Sequence, residues 1–255
     1  MNNLCRSLIF FCATIALPME HGVAGKDDAV THYSQRAVEL LRDAISRETS
    51  HGQGLVPAYA ESLERVFLEA GFPPEALTIV PYGETASLVV RYEGDGSSGR
   101  KPILFSSHMD VVPADPESWL RHPYELQADD TFFYGRGVLD NKFDVTILTT
   151  VFVWLKESGF VPNRDLVIAF TGDEESFQET VQQLARDYRE LVDAEYALVV
   201  DGGGGTITLP PPAPTLPEVA LRVGHPTMAA RGEHRSASSW PLLCLLGWHA
   251  LLPQA

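Results

Sequence analysis

Hydrophobic positions recur at helical spacing in two stretches near the start of the chain, and a third stretch is ambiguous. Tyr33–Glu48 and Pro57–Ala70 place apolar residues three or four positions apart, and Gly71 follows the second stretch as a typical helix end. Asp144–Lys156 is rich in apolar residues, and its β-branched residues favour a strand. Its length and the following Gly159 favour a helix, so this stretch is predicted to be helical.

Short apolar runs predict the strands of a sheet. The three runs interpreted as buried strands are Pro102–Ser107, Asp165–Phe170 and Tyr196–Val200. The helical stretch Asp144–Lys156 lies between the first two runs, and a polar-faced helix, Thr180–Leu191, lies between the last two. Ser87–Tyr92 predicts a further strand. Alternation of strands and helices is typical of a layered α/β fold with a mainly parallel central sheet.

The first 24 residues have the layout of a secretory signal. Arg6 precedes an apolar run, Leu8–Leu17, that is too short to cross a bilayer as a mature helix, and Gly22–Ala24 offers small residues for cleavage. A buried N-terminal helix is the alternative interpretation. Export predicts a secreted or periplasmic location. It would leave Cys244 as the only cysteine, which excludes a disulfide framework.

Composition narrows the classes of function. The chain has 255 residues, of which 45% are hydrophobic and 21% charged, and its formal net charge is −15. The apolar fraction excludes a disordered chain, and after the first 20 positions no apolar run has the length of a membrane span. An acidic chain does not offer the basic face that nucleic acid requires. Neither nucleic acid nor, after signal removal, a membrane is therefore an expected partner.

The last fifth of the chain differs in composition from the rest. Residues 206–255 hold 8 of the 18 prolines and two acids, Glu218 and Glu233, against three arginines, so their net charge is +1. Residues 1–205 consequently hold a net charge of −16. This contrast divides the chain into a signal peptide (1–24), a folded part (25–205) and a Pro-rich tail (206–255). The tail is interpreted as unstructured or as the product of a disrupted reading frame.

Potential metal ligands follow each buried strand and occupy a glycine-lined loop before the helix at Asp144–Lys156. They are His108, Asp110, Asp140, Glu174, Glu175 and Asp201. In open α/β sheets, ligands bind beyond the carboxyl ends of the strands. Several carboxylates converging there would repel one another unless cations neutralised them. One imidazole with several carboxylates suits zinc or a similar divalent ion.

The spacing of these residues suggests distinct tasks. In an extended segment, residues two apart point to the same face, so Asp110 can accept the second ring N–H of His108. The adjacent Glu174 and Glu175 point differently, so one can bind metal while the other acts as a general base. Taken singly, each of these short patterns is more often a surface pair, a helix start or a turn. Their combination at three strand ends is what favours a site.

Three ordered motifs resemble a known family. They read His108-Met109-Asp110-Val111-Val112-Pro113, Gly135-Arg136-Gly137-Val138-Leu139-Asp140-Asn141-Lys142 and Thr171-Gly172-Asp173-Glu174-Glu175. Their order and spacing are similar to those of the di-zinc metallopeptidase family that contains aminoacylase, glutamate carboxypeptidase, carnosine dipeptidases and succinyl-diaminopimelate desuccinylase. The resemblance runs from about residue 33 to residue 205. It implies a zinc-exopeptidase-like (phosphorylase/hydrolase-like) fold.

The resemblance also implies a role for each site residue. His108, Asp140 and Asp201 would bind the first zinc ion, and Asp140 would bridge to a second ion bound by Glu175. Asp110 would be the catalytic partner behind His108, and Glu174 would be the general base. Trp119 and Tyr124 match aromatic positions of the family and are interpreted as loop packing.

Family members are considerably longer than this chain. Their catalytic domain is interrupted by a lid, usually the dimerisation element, and the part that resumes supplies a final histidine to the second metal. No lid is recognised after Gly205, and His225, His234 and His249 lie in no matching context. The resemblance therefore predicts a truncated fold with one well-formed zinc site, which cobalt or manganese could also occupy.

The implied reaction is hydrolysis of a peptide or N-acyl amide bond next to a free carboxylate, as in a carboxypeptidase, a dipeptidase or an aminoacylase. The implied substrate is a small peptide or an N-acyl amino acid. One alternative is a catalytically dead, secreted metal-binding fragment. The other is a secreted binding protein in which the acidic strand ends hold calcium. His108 argues against calcium, which prefers oxygen ligands.

Overall fold

The computed structural model describes residues 26–201. The helices are α1 Lys26–Ser46, α2 Val56–Glu69, α3 Lys142–Glu157, α4 Glu179–Asp187 and α5 Arg189–Val192. The strands are β1 Leu77–Tyr82, β2 Thr85–Tyr92, β3 Ile103–His108, β4 Gln127–Ala128, β5 Phe133–Tyr134, β6 Leu166–Thr171 and β7 Tyr196–Val199. Within residues 26–201, no helix is long and apolar enough to cross a membrane.

Five strands form one mixed sheet in the order β1-β2-β6-β3-β7. The strand β3 pairs in parallel with the central strand β6, where His108 lies opposite Thr171, and in parallel with the edge strand β7. The three strands β3, β6 and β7 are thus parallel, as the alternation of strands and helices predicts. The β1-β2 hairpin adds two antiparallel strands beside β6. The short strands β4 and β5 form a separate antiparallel pair.

The sheet lies between two layers of helices. Alternate residues of a strand point to opposite faces. On one face, Ile168 and Phe170 of β6 pack in the same cluster as residues of α2 and α3. On the other face, Val167 and Ala169 pack against Leu184 of α4. The prediction of a buried strand at Asp165–Phe170 is therefore confirmed by β6. The prediction of a helix at Asp144–Lys156 is confirmed by α3.

Two features differ from the sequence interpretation. The strand β7 is not buried: Tyr196, Leu198 and Val199 are 54%, 49% and 53% exposed. In residues 26–201, β7 is an edge strand that pairs only with β3, so its apolar side chains have little to pack against. The single helix expected over 180–191 is interrupted at Tyr188, whose backbone is not helical (φ −131°, ψ 37°).

Candidate metal centre

The ligand-bearing segments meet at the carboxyl edge of the parallel strands. His108 is the last residue of β3, and the Glu174–Glu175 pair follows the end of β6. Asp201 comes two residues after β7, and Asp140 comes two residues before α3. Because β3 pairs in parallel with both β6 and β7, these chain ends point to the same edge.

The structure forms two overlapping clusters around His108. In the first cluster, the ring nitrogen Nε2 lies 2.9 Å from Asp140 Oδ1 and 3.7 Å from Asp201 Oδ1. In the second cluster, the same nitrogen lies 4.0 Å from Glu174 Oε2, and Glu175 completes the group. Within each cluster the potential ligand atoms all lie within 4.8 Å of one another. The imidazole is 2% exposed, so the clusters are built around a buried ring.

Asp110 lies beside the imidazole, and its carboxylate also holds the backbone of the glutamate pair. The ring nitrogen Nδ1 lies 3.0 Å from the backbone oxygen of Asp110 and 3.4 Å from its carboxylate. The carboxylate accepts hydrogen bonds from the backbone N–H groups of Glu174 at 3.0 Å and Glu175 at 2.9 Å. The carboxylate therefore lies next to the ring nitrogen that the sequence predicts, although its shortest hydrogen bonds are made elsewhere. Its main partners are two backbone amides of the glutamate pair, because the turn after β6 brings them within reach.

The electrostatics of the clusters favour a cation. Burial by itself lowers the pKa of His108, but hydrogen bonds to Asp110, Asp140 and Asp201 outweigh it and hold this pKa well above its usual value. Burial, followed by the charge of Asp140, raises the pKa of Glu175 to about 7. Asp140 contributes to both shifts, by a hydrogen bond to His108 and by its charge on Glu175, although burial is the larger cause for Glu175. A divalent ion would relieve the repulsion between these carboxylates, and imidazole with carboxylate oxygens is a donor set that zinc accepts.

Asp173 fixes the turn that carries the glutamate pair. Its buried carboxylate accepts hydrogen bonds from the backbone N–H of Glu179 at 2.7 Å and of Thr180 at 3.0 Å, which satisfies free donors at the start of α4. Gly172 precedes it, and a Cβ there would lie 2.4 Å from the backbone oxygen of Ala86. No role of Asp173 is predicted from the sequence, because it lies six residues before α4 rather than at the position immediately before the helix, where a capping aspartate is recognised.

Asn141 connects the segments that carry three of the ligands. Its side chain is fully buried, and its Oδ1 accepts a hydrogen bond from Ser107, the neighbour of His108. Its Nδ2 donates to Asp201 Oδ1 at 2.8 Å and to the backbone oxygen of Val200 at 3.0 Å. Asn141 belongs to the motif Gly135–Lys142, but its sequence context predicts no role for it. An amide beside a candidate ligand is a weak signal in sequence alone, because its partners are distant along the chain.

The aromatic residues between the first two motifs pack against their loop, as interpreted. The guanidinium of Arg136 lies over the ring of Trp119, with its Cζ 5.1 Å from the ring centroid. The hydroxyl of Tyr124 accepts a hydrogen bond from the backbone N–H of Ala114 at 3.0 Å and lies 3.2 Å from Glu48 Oε1. The other predictions concern residues outside 26–201: the signal segment 1–24, the tail 206–255, and His225, His234 and His249.

Comparison with known proteins confirms the resemblance drawn from the motifs. Residues 104–225 match the family model described as Peptidase family M20/M25/M40, and the match ends inside the segment interpreted as a tail. The protein named Probable carboxypeptidase S-like 2 from Dictyostelium discoideum is 39% identical over 90 residues, which are 35% of this chain and 17% of that protein. The protein named N-fatty-acyl-amino acid synthase/hydrolase PM20D1 from Mus musculus is 30% identical over 170 residues, which are 65% of this chain and 33% of that protein.

A solved structure with the same fold is that of the dipeptidase Dug1p from Saccharomyces cerevisiae. It superposes with a TM-score of 0.55 at 21% identity, and the match covers 68% of this chain and 40% of that one. At this identity the likeness concerns the fold, and it confirms the layered α/β architecture with a central sheet. The chain spans well under half the length of these relatives.

Proposed function

We propose that this chain carries the N-terminal part of the catalytic domain of a zinc-dependent hydrolase that cleaves peptide or N-acyl amide bonds next to a free carboxylate. The observation that supports this most directly is the pair of clusters around His108. One buried imidazole and four carboxylates, from three strand ends and one loop, lie close enough together to share divalent ions. They occur in the order of the family's motifs, and residues 104–225 match the family model.

The residues present fit the implied metal. His108, Asp140 and Asp201, which form one of the clusters, would hold one ion. As the family resemblance implies, Asp140 and Glu175, whose charges interact, would hold a second ion more weakly. A divalent ion bound there supplies a Lewis acid that polarises a carbonyl and lowers the pKa of water. In residues 26–201, both clusters use the same imidazole, so His108 can serve only one ion directly. This supports one well-formed site, and the other would need a ligand from elsewhere.

Glu174 is the proposed general base. Its carboxylate lies 4.0 Å from His108 Nε2, at the edge of the clusters, and Oε1 accepts a hydrogen bond from Gln178 Nε2 at 3.1 Å. Its backbone N–H donates to Asp110, and this hydrogen bond fixes the backbone position from which the Glu174 side chain extends. In the proposed reaction, Glu174 takes a proton from the attacking water and passes it to the nitrogen of the leaving amine.

Asp110 and Asn141 would orient the groups around the reaction. Asp110 holds the backbone of both glutamates through two hydrogen bonds, and its own backbone oxygen faces His108 Nδ1. An N–H at Nδ1 would donate to that oxygen and leave Nε2 free to face the carboxylates. Asn141 keeps Asp201 beside the ring. Groups that are already in place lose little freedom when the substrate binds.

The names of the relatives support amide substrates that contain an amino acid. One is named as a carboxypeptidase and another as a synthase and hydrolase of N-fatty-acyl amino acids. A small peptide or N-acyl amino acid is the substrate class common to these names. We therefore propose this class of substrate for the chain.

Export through the signal at 1–24 is part of the proposal and places the protein outside the cytoplasm. It is supported by the basic, apolar and small-residue layout of that segment. N-terminal sequencing of protein from the culture medium or periplasm tests it. A mature chain beginning at Gly25 is expected, and cell-retained protein with Met1 intact would contradict it.

A second candidate is a metal-binding fragment without catalytic activity, which the sharing of His108 by both clusters favours. The two are separated by assaying a panel of N-acyl amino acids and dipeptides with added zinc, using the chain and its Glu174→Gln variant. The enzyme is expected to turn over at least one substrate, and the variant is expected to lose 10²-fold or more while binding zinc normally. A wild-type chain that binds zinc and hydrolyses no member of the panel would support the fragment instead.

A further inference from the structure

Lys142 is a charged residue with no exposed surface, and it stands two positions after Asp140. Its side chain is 0% exposed, although lysine is almost never fully buried unless its charge is paired. It is the first residue of α3. The motif Gly135–Lys142 contains it, but the proposed reaction gives it no task.

The ammonium of Lys142 closes the end of another helix. Its Nζ donates to the backbone oxygens of Ala44, at 2.8 Å, and Arg47, both at the C-terminal end of α1. The last carbonyls of a helix have no partner within the helix and carry partial negative charge, which a lysine can satisfy. The Tyr59 ring lies on the same ammonium, with its centroid 5.8 Å from Nζ. Lys142 therefore anchors the start of α3 to the end of α1.

Gly137 leaves room for the lysine stem. Its backbone has φ +88°, and a Cβ at this position would lie 2.9 Å from Val111 Cγ1 and 3.0 Å from Lys142 Cδ. The backbone oxygen of Gly137 also accepts the N–H of Lys142 at 2.8 Å. The segment from Gly137 to Lys142 is thus a closed loop, and Asp140 lies within it.

We propose that Lys142 is a positioning residue for the metal centre: by fixing the Gly137–Lys142 loop to the end of α1, it holds Asp140 at 2.9 Å from His108 Nε2. This inference rests on the proposed function, because it assigns a role to a residue that supports a ligand. Lys142 itself touches neither metal nor substrate. Its contribution passes through the backbone of the loop.

The test compares two lysines of the same helix. Lys142→Met removes the buried ammonium but keeps the length of the stem. Lys156→Met makes the same change near the end of α3, where the ammonium lies over the rings of Phe72 and Tyr92, away from the clusters. Zinc affinity of the full chain is measured by competition with a chromophoric chelator, on protein whose circular dichroism is native. The visible absorption of bound cobalt(II) reports the geometry of the ligands.

We expect Lys142→Met to lower zinc affinity 10- to 100-fold and to change the cobalt spectrum, as supporting residues around metals do, while Lys156→Met leaves both unchanged. If Lys142→Met melts at a lower temperature but binds zinc as tightly as the wild type, the role is structural only and the inference is overturned. If Lys142→Met does not fold, Gly137→Ala replaces it, because it keeps the ammonium and displaces its stem. Wild-type affinity in folded Gly137→Ala would then overturn the inference. Failure of the wild-type chain to bind zinc would instead refute the proposed function itself.

Discussion

The carboxylate of Asp110 accepts a hydrogen bond from the backbone N–H of Glu174 at 3.0 Å, and its second oxygen accepts the N–H of Glu175 at 2.9 Å. These two bonds connect the segment after β3 to the segment after β6 at the point where the ligand clusters form. The carboxylate is 4% exposed, so the bonds are shielded from water and gain strength from the charge. Asp110 therefore sets the position of both glutamates relative to His108.

Asp110→Asn tests this connection with a change of a single side-chain group. An asparagine amide turns one acceptor into a donor, so one of the two backbone N–H groups loses its partner and faces another donor. We expect zinc affinity to fall 10- to 100-fold in a chain that still folds. Chelator competition measures this. Asp187→Asn, the same change at an exposed position in α4, is the control and should leave affinity unchanged. Equal affinities for Asp110→Asn and the wild type would refute the role.

The metal-free protein should become less stable as pH rises from 5 to 7. Burial raises the pKa of Glu175 from 4.5 in the unfolded chain to about 7, so in this window the folded state retains a proton that the unfolded state releases. The raised pKa of His108 acts in the same direction, because its stabilisation is complete below pH 6.5 and is lost as pH rises through the folded pKa. Burial lowers the pKa of Lys142 to about 7. This group therefore makes stability rise with pH, but only above pH 7.

Glu175→Gln should remove part of this pH dependence, since glutamine mimics the protonated side chain. After allowance for solvent screening of this partly exposed group, we expect an effect on the order of 1 kcal/mol, which is about 2–4 °C in Tm. Thermal melts in a chelator at pH 5 and pH 7 measure it. The exposed Glu61 of α2, changed to glutamine, is the matched control. Parallel behaviour of Glu175→Gln and the control would show that Glu175 titrates normally.

Asp173→Ala should lower the free energy of unfolding. The substitution removes the acceptor of two backbone N–H groups and one hydroxyl at the start of α4, all buried or half-buried. Loss of such a cap with buried donors costs about 1–3 kcal/mol. Denaturant unfolding measures this loss, and Asp187→Ala, at the other end of the same helix, should change stability by less than about 0.5 kcal/mol. An unchanged midpoint for Asp173→Ala would contradict the capping role.

The sequence was enough to predict which strands bear the ligands. The runs that form β3 and β6 are apolar on both faces, so their parallel pairing and the meeting of His108 with the residues after Thr171 follow from elementary rules. The family resemblance then supplied the order of the motifs. The match over residues 104–225 confirms that resemblance.

Other features could not be predicted, because they depend on contacts between distant parts of the chain. The carboxylate of Asp110 turns to the glutamate backbone because of a turn 64 residues later. The apolar sequence of β7 indicates a buried strand but not what covers it, and within residues 26–201 only β3 lies beside it. The strand β1 is not predicted from its hydrophobic pattern, because Thr78 and Pro81 interrupt its apolar positions. The anchoring of Lys142 to α1 requires a helix nearly 100 residues earlier.

The most direct test of the central claim is a zinc titration of the full chain, with calcium in a parallel titration and His108→Ala as the control. If the clusters around His108 form a metal centre with one complete site, the chain is expected to bind one zinc ion per molecule tightly, to bind calcium at least 100-fold more weakly, and to lose the tight site in His108→Ala. Absence of zinc binding, equal preference for calcium, or a tight zinc site that survives the loss of His108 would contradict the account.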